Sequence, residues 1–285
     1  APSVWDRTIR MLSNGRSMPH AVNDESAIPG LTKSGISASD AHEYCIVGCN
    51  EIGIPGKCCQ SGLSLAFGFT DIAVLDDVVR ETPDAIASVD DVLEGYEHRV
   101  YEHGLTAGKI RRRVIDQIVA EHPFPFTSAC CLGTVERGDD YMRALPYPDV
   151  YGVFIRGTTN AVNALSVLKY LVFDSQEWSL KALLDAVDRA DPRIMRRIAE
   201  LPKWGNDNDE VDELACALNR GRTQALTRAA NELGLPRFTV CHVVRSLHYL
   251  SGRGLEATLD GRQSDERLCD SIGPDGGVSE EGPTA

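Results

Sequence analysis

The chain has 285 residues, 42% of them hydrophobic and 25% charged, and carries a formal net charge of −13. That composition suits a globular protein with a substantial core, either one large domain or two ordinary ones, and the acidic balance disfavours nucleic acid or an anionic membrane surface as main partner. No signal-peptide pattern opens the sequence and no apolar run approaches the length of a membrane span, so a cytoplasmic protein is expected.

Trp5, Ile9 and Leu12 recur at helical spacing and predict one short helix within residues 1–36, followed by a loop from Asn14 through Asn23 and Asp24 to Gly35. Ser37 or Ser39 can cap a short helix running through Ala41 to Tyr44. Next comes Tyr44-Cys45-Ile46-Val47-Gly48-Cys49-Asn50-Glu51-Ile52-Gly53-Ile54-Pro55-Gly56-Lys57. Its glycines permit tight or left-handed backbone and Pro55 fixes one dihedral, so the segment reads as a shaped loop. Residues two apart on such a backbone can point to one side, which would let Cys49 and Glu51 face one cavity. A small buried thiol and a solvated carboxylate account for the same two residues taken alone.

Leu63 to Phe69, an apolar run bounded by glycines, reads as a buried strand, and Thr70-Asp71 opens a helix through Ile72, Leu75, Val78 and Val79. Two helices are predicted over 88–103 and 107–121, the second stopping before Pro123 and Pro125. The basic run Lys109-Ile110-Arg111-Arg112-Arg113 reads as a solvated face of that helix. Tyr151 to Ile155 is strand-like, and Gly157 precedes a helix with Ala161, Ala164, Leu165, Leu168 and Val172 on one face. Helices follow at about 179–190 and 193–201, then from the acidic stretch after Pro202 to about Asn219, then over 222–233. An apolar segment from Phe238 to Leu250 leads to a turn at Thr258 to Arg262. Strands alternating with long helical crossovers predict an α/β architecture.

Several chemistries are set aside. Nine cysteines are an odd number, two pairs of them are adjacent in sequence (Cys58-Cys59 and Cys130-Cys131), and no Cys-x-x-Cys spacing occurs, so reduced thiols fit best and no metal site is expected. Asp207 to Asp212 lacks the central glycine and spaced closing glutamate of a calcium loop and reads as a helix cap with a charged first turn. His98 and His103 are five apart, not the four that puts two ligands on one helical face. Gly252-Arg253-Gly254-Leu255-Glu256-Ala257 imitates a dinucleotide fingerprint but is followed by a turn rather than a helix. No Gly-x-Ser-x-Gly elbow or phosphate loop is present, and pairing Cys49 with a histidine as a cysteine protease has no family signature behind it.

Several stretches in this order resemble the glycyl radical enzymes, the pyruvate formate-lyase superfamily. Gly48-Cys49-Asn50-Glu51 with Pro55-Gly56-Lys57 is similar to the cysteine loop of the dehydratase and decarboxylase branch. Pro123 to Phe126 and Glu136-Arg137-Gly138-Asp139 resemble the middle of the family's barrel. Pro202-Lys203-Trp204-Gly205-Asn206-Asp207 with Asp212, Asp260-Gly261-Arg262 and Gly282-Pro283-Thr284-Ala285 match later landmarks. The resemblance implies part of a ten-stranded α/β barrel, residues 1–285 being its central to C-terminal section, incomplete at both ends. The absence of an opening methionine agrees with a piece of something longer, and neither the N-terminal half of the barrel nor the Arg-Val-x-Gly-Tyr type glycyl loop is in the sequence.

Family knowledge implies the chemistry. A radical-SAM activating enzyme installs a radical on a backbone glycine, here outside this chain, and no other cofactor is bound directly. The radical passes to the cysteine matching Cys49, and the carboxylate matching Glu51 acts as general base. Elimination or cleavage of a small polar substrate follows: dehydration, carbon–heteroatom lysis or decarboxylation. A homodimer in an anaerobic bacterium, with a microcompartment as one setting, is the family's pattern. Gln60-Ser61-Gly62-Leu63 stands where diol dehydratases carry a substrate-binding aspartate, so glycerol or propanediol is not favoured. Thr134 replaces a cysteine common in relatives, and Pro146-Tyr147-Pro148 replaces a glycine-rich segment. Asn50 breaks the adjacent-cysteine pattern of pyruvate formate-lyase, which puts formate C-acyltransferase-like activity second, and Glu51 argues against an arylsuccinate synthase. A truncated barrel serving as a binding or assembly module is the non-enzymatic alternative.

Overall fold

A computed structural model of the chain describes residues 3–14, 22–47, 51–58, 67–147, 150–235, 237–242 and 247–278. The chain divides into two compact units, residues 1–60 with 125–148 and residues 61–124 with 149–285.

In the first unit a helix spans Val4–Ser13, where the Trp5, Ile9 and Leu12 spacing predicts it. The loop expected up to Gly35 contains a second helix, Asp24–Lys33. Asn23 caps it by accepting from the Glu25 backbone N–H at 2.9 Å, and the carboxylates of Asp24 and Glu25 meet the positive end of the helix dipole. Those signals outweigh Pro29, which is carried inside the helix and costs it a donor without ending it. Ser37 caps the one-turn helix Ala38–Ala41, as expected. Strands β1 (Cys45–Val47) and β2 (Glu51–Gly53) then pair antiparallel. The later part of the unit consists of one-turn helices, Pro125–Ala129, Thr134–Arg137 and Tyr141–Ala144. Thr134 is buried there, its hydroxyl donating to the carbonyls of Ser128 and Cys131.

The second unit is built on a parallel sheet in the order β3 (Phe67–Thr70), β4 (Val150–Arg156), β5 (Arg237–His242). Parallel neighbours require long crossovers, and the helices provide them. Residues 59–66, which hold most of the expected Leu63–Phe69 strand, lie outside the described residues. The helix Asp71–Glu81 follows β3 as predicted, and Thr158–Val167 follows β4 after Gly157.

Both of the breaks expected inside long helices are absent. A single helix spans Val89–Glu121, and another spans Asp209–Glu232. Val92, Tyr96, Val100, Gly104, Gly108, Arg111 and Ile115 form one buried stripe along the first of them. The glycines are points of close approach in that stripe. A Cβ on Gly104 would sit 2.9 Å from the Ala229 Cβ, and one on Gly108 2.4 Å from a Leu233 methyl. Arg111 lies in the same stripe and is buried, while Arg112 donates to the Leu233 carbonyl at 2.6 Å. The basic run is therefore partly structural rather than a wholly solvated face.

Beyond Val167 the helix widens into a π-helical segment, Leu168–Asp174, which turns Leu171 inward beside Leu168 in place of Val172. The acidic stretch after Pro202 is a helix start, as expected, with Asn208 accepting from the Val211 N–H at 3.1 Å. Val153 and Ile155 on the sheet, Leu165 and Leu168 above it, and Leu218 and Leu226 on Asp209–Glu232 share one apolar core. Among the described residues no helix is long and apolar enough to cross a membrane.

Candidate active site

The strands that flank the cysteine segment pair antiparallel. Their register pairs Cys45 with Gly53, Ile46 with Ile52 and Val47 with Glu51. Cys49, with Gly48 and Asn50, lies outside the described residues, and Glu51 is described by its backbone alone, at the start of β2. A side chain at residue 53 would be a tight fit, its Cβ lying 3.1 Å from a Val47 methyl. After β2 the backbone turns tightly, with the Cys58 N–H donating to the Ile54 carbonyl at 2.9 Å and Gly56 at φ +68°. Only a glycine takes that left-handed conformation without strain.

Polar ties from elsewhere in the first unit hold the turn. The Leu132 N–H donates to the Gly56 carbonyl at 2.9 Å and the Tyr147 N–H to the Lys57 carbonyl at 3.0 Å. The Lys57 ammonium pairs with the Asp40 carboxylate, whose other oxygen accepts from the Tyr147 hydroxyl at 2.6 Å. The Ser37 N–H donates to that same hydroxyl at 3.1 Å. Asp40 is held below the usual carboxylate range, first by Lys57 and then by Tyr147, and Lys57 is raised in turn by Asp40. Lys57 was visible in the sequence as part of the loop motif. Asp40 and Tyr147 were not, because nothing in spacing links residues 107 apart.

In the second unit a polar cluster sits where the parallel strands end, the edge at which open α/β sheets gather their chemistry. Asp71, one residue past β3, is fully buried and pairs with buried Arg222 at 2.5 Å. It also accepts from the Tyr96 hydroxyl at 2.6 Å and the Thr158 hydroxyl at 2.7 Å. Arg222 donates further to Asn219 at 2.6 Å. Burial, and then the Asp71 charge, push the Tyr96 hydroxyl well above its ordinary pKa. His242 closes β5, and burial, then the Arg222 charge, lower its pKa to about 4. The Asp71 and Arg222 charges answer each other inside the protein, although the Arg222 Nε is buried without a hydrogen-bond partner among the described residues, and the pairing marks the cluster as a structural junction.

Two other expected landmarks meet in this unit. Pro202–Asp207 is anchored by the Trp204 N–H on the Asn163 side-chain oxygen at 3.0 Å and by the indole on the Ile272 carbonyl at 2.8 Å. Lys203 lines one cavity with Asp260, Gly261 and Arg262. The Glu136-Arg137-Gly138-Asp139 part of the middle-barrel landmark lies instead in the first unit, where Asp139 holds Arg143 at 2.7 Å. Among the described residues no cluster of three or more His, Cys, Asp or Glu side chains is placed to hold a metal ion.

Comparison with known proteins gives these segments a common origin. The sequence profile of the pyruvate formate lyase-like family matches residues 2–240. Isethionate sulfite-lyase from Bilophila wadsworthia is 25% identical over 305 aligned positions, which cover 99% of this chain and 36% of that protein. Trans-4-hydroxy-L-proline dehydratase from Clostridioides difficile is 25% identical, with 98% of this chain and 37% of that protein covered. Among solved structures, the glycerol-bound B12-independent glycerol dehydratase from Clostridium butyricum superposes with a TM-score of 0.86 at 23% identity, over 98% of this chain and 37% of that one. The chain thus spans a little over a third of the length of these relatives. The fold is the one the sequence implied, part of an α/β barrel of the glycyl radical enzyme type.

Proposed function

The chain belongs to the pyruvate formate lyase-like family, and we propose that it is the central to C-terminal part of a glycyl radical lyase, with Cys49 as hydrogen-atom carrier and Glu51 as base. The observation that carries this reading is the pinned hairpin. It sets Glu51 at the start of a paired strand, two residues from Cys49, and fixes the turn that follows through Lys57, Asp40 and Tyr147. A loop tied down at its base suits a thiol that must meet one substrate carbon in one orientation.

A radical installed on a backbone glycine of the family's glycyl loop would supply the single oxidising equivalent. The Cys49 sulfur, once it has given up its hydrogen atom, takes one from a substrate carbon and later returns it to the product radical. A thiol suits this exchange because its S–H bond is weak enough to re-form and break in turn. Glu51 takes the proton from a substrate hydroxyl so that the neighbouring group departs as an anion. A dry cavity would raise the carboxylate's pKa toward the range useful for that transfer. The named relatives are a sulfite-lyase and dehydratases, consistent with elimination from a small polar molecule.

Glu51→Gln tests the assignment in a protein that joins this chain to the rest of the barrel and its glycyl loop, activated by a radical-SAM enzyme. Turnover should fall by about 10²–10⁴-fold, the usual worth of a general base, while the glycyl radical forms in normal yield. Native turnover in that variant would remove Glu51 from the mechanism.

A further inference from the structure

The second unit holds a cavity of about 440 Å³. It lies where Asn160, the helix Pro192–Ala199, Lys203 and the segment from Asp260 to Asp275 come together. Met195 and Ile198 give it an apolar wall.

Its carboxylates are already engaged. Asp260 accepts from the Asn160 amide at 2.6 Å on one oxygen and from the Thr258 hydroxyl at 2.6 Å on the other. Glu266 accepts from the Gln263 N–H at 2.8 Å, and Asp275 from the Gly276 N–H at 2.8 Å. The Arg262 guanidinium is spent on the backbone carbonyls of Glu256, Gln263 and Glu266. Arg267 reaches Asp275 only at 3.8 Å. Lys203 differs from all of these: among the described residues its ammonium has no hydrogen bond and no ion pair. Desolvation by its surroundings disfavours that charge, and Asp260 and Asp275, the nearest compensating charges, act at longer range.

Among the described residues Lys203 is therefore the cavity's cation without a partner, and Arg267, held only by its loose pair with Asp275, adds donor capacity to the same lining. We propose that the cavity binds a small organic monocarboxylate, its oxygens on the Lys203 ammonium and its short apolar body against Met195 and Ile198. Asp260, Glu266 and Asp275 stand against Lys203, Arg262 and Arg267, so the lining carries no net positive charge to hold a dianion, which favours a ligand with a single negative charge. Pockets of this size hold such molecules with a few placed polar groups on an otherwise apolar wall. The proposal is independent of the chemistry assigned to Cys49 and Glu51.

The test is titration of the 285-residue chain with propionate, followed by the fluorescence of Trp204 next to Lys203, with inorganic phosphate and ethylammonium as comparison probes. Propionate should give a saturable change, Lys203→Met should weaken it at least tenfold, and Lys203→Arg should retain most of it. In parallel, trace acylation of the native chain read by mass spectrometry should show Lys203 protected at least threefold by propionate, with Lys169 and Lys181 unchanged. That footprint decides the matter if Lys203→Met does not fold. The proposal is overturned if propionate leaves Lys203 unprotected, if Lys203→Met binds it as the native chain does, or if phosphate or ethylammonium binds equally well.

Discussion

The two units are stabilised by different physics. The second gathers the shared apolar core around a parallel sheet and buries the Arg222–Asp71 ion pair completely, the two being 1% and 0% exposed. The first has few buried apolar side chains, Ile36, Ile54 and Leu145 among them, and leaves Trp5, Phe126 and Val135 at the surface. Its cysteine hairpin is held by backbone bonds and by the partly exposed Lys57–Asp40–Tyr147 set. One unit is a scaffold whose central ion pair is locked by burial. The other fixes a functional loop through polar ties that solvent can reach, and the two should therefore respond differently to the same disturbance.

The largest difference is expected from Asp71→Ala. It leaves Arg222 charged and buried without its partner, a loss of about 3–5 kcal/mol, and the Tyr96 and Thr158 hydroxyls lose their acceptor with it. Denaturant unfolding followed by hydrogen exchange should show the second unit opening early while the β1–β2 hairpin keeps its protection. Equal loss in both units would contradict the division.

Acid should separate the units next. His242 has its pKa lowered to about 4 in the folded chain, against about 6.5 unfolded. The unfolded state thus binds a proton that the folded state refuses, and stability of the second unit falls as pH drops from 6.5 toward 4. The shift corresponds to at most about 3 kcal/mol. His242→Gln should flatten that slope, as read by urea unfolding across the range. Asp40 behaves oppositely in position: its pKa is depressed, so the clamp's contribution is complete above the ordinary carboxylate range and fades only as pH falls through the lower folded value. An Asp40-dependent change near neutral pH would contradict this.

The smallest global effect is expected from Asp40→Asn, since exposed ion pairs contribute little to stability. Its signature should be local: faster exchange of the Cys58 and Tyr147 amides, with urea unfolding of the second unit unchanged. A global destabilisation instead would contradict the local role given to Asp40.

The sequence made the site motif legible but not its support. Cys49 and Glu51 are readable because glycines and a proline frame them within one short segment. Asp40 and Tyr147 join that segment only through the fold, and Asp71 looked like no more than a helix start until Arg222, 151 residues away, packed against it. Helix boundaries were misjudged for a related reason. Gly104 and Gly108 weaken a helix locally, but here they let two helices approach closely, and packing overrode propensity. Asp24–Lys33 was hidden by Pro29 and Gly30, whose cost its cap and charged first turn offset.

The most direct test of the central claim is Cys49→Ala in the activated, glycyl-loop-containing protein, with turnover and the radical's electron paramagnetic resonance signal measured on the same sample. The account predicts a normal glycyl radical signal and no turnover. Turnover that survives without the Cys49 sulfur would contradict it.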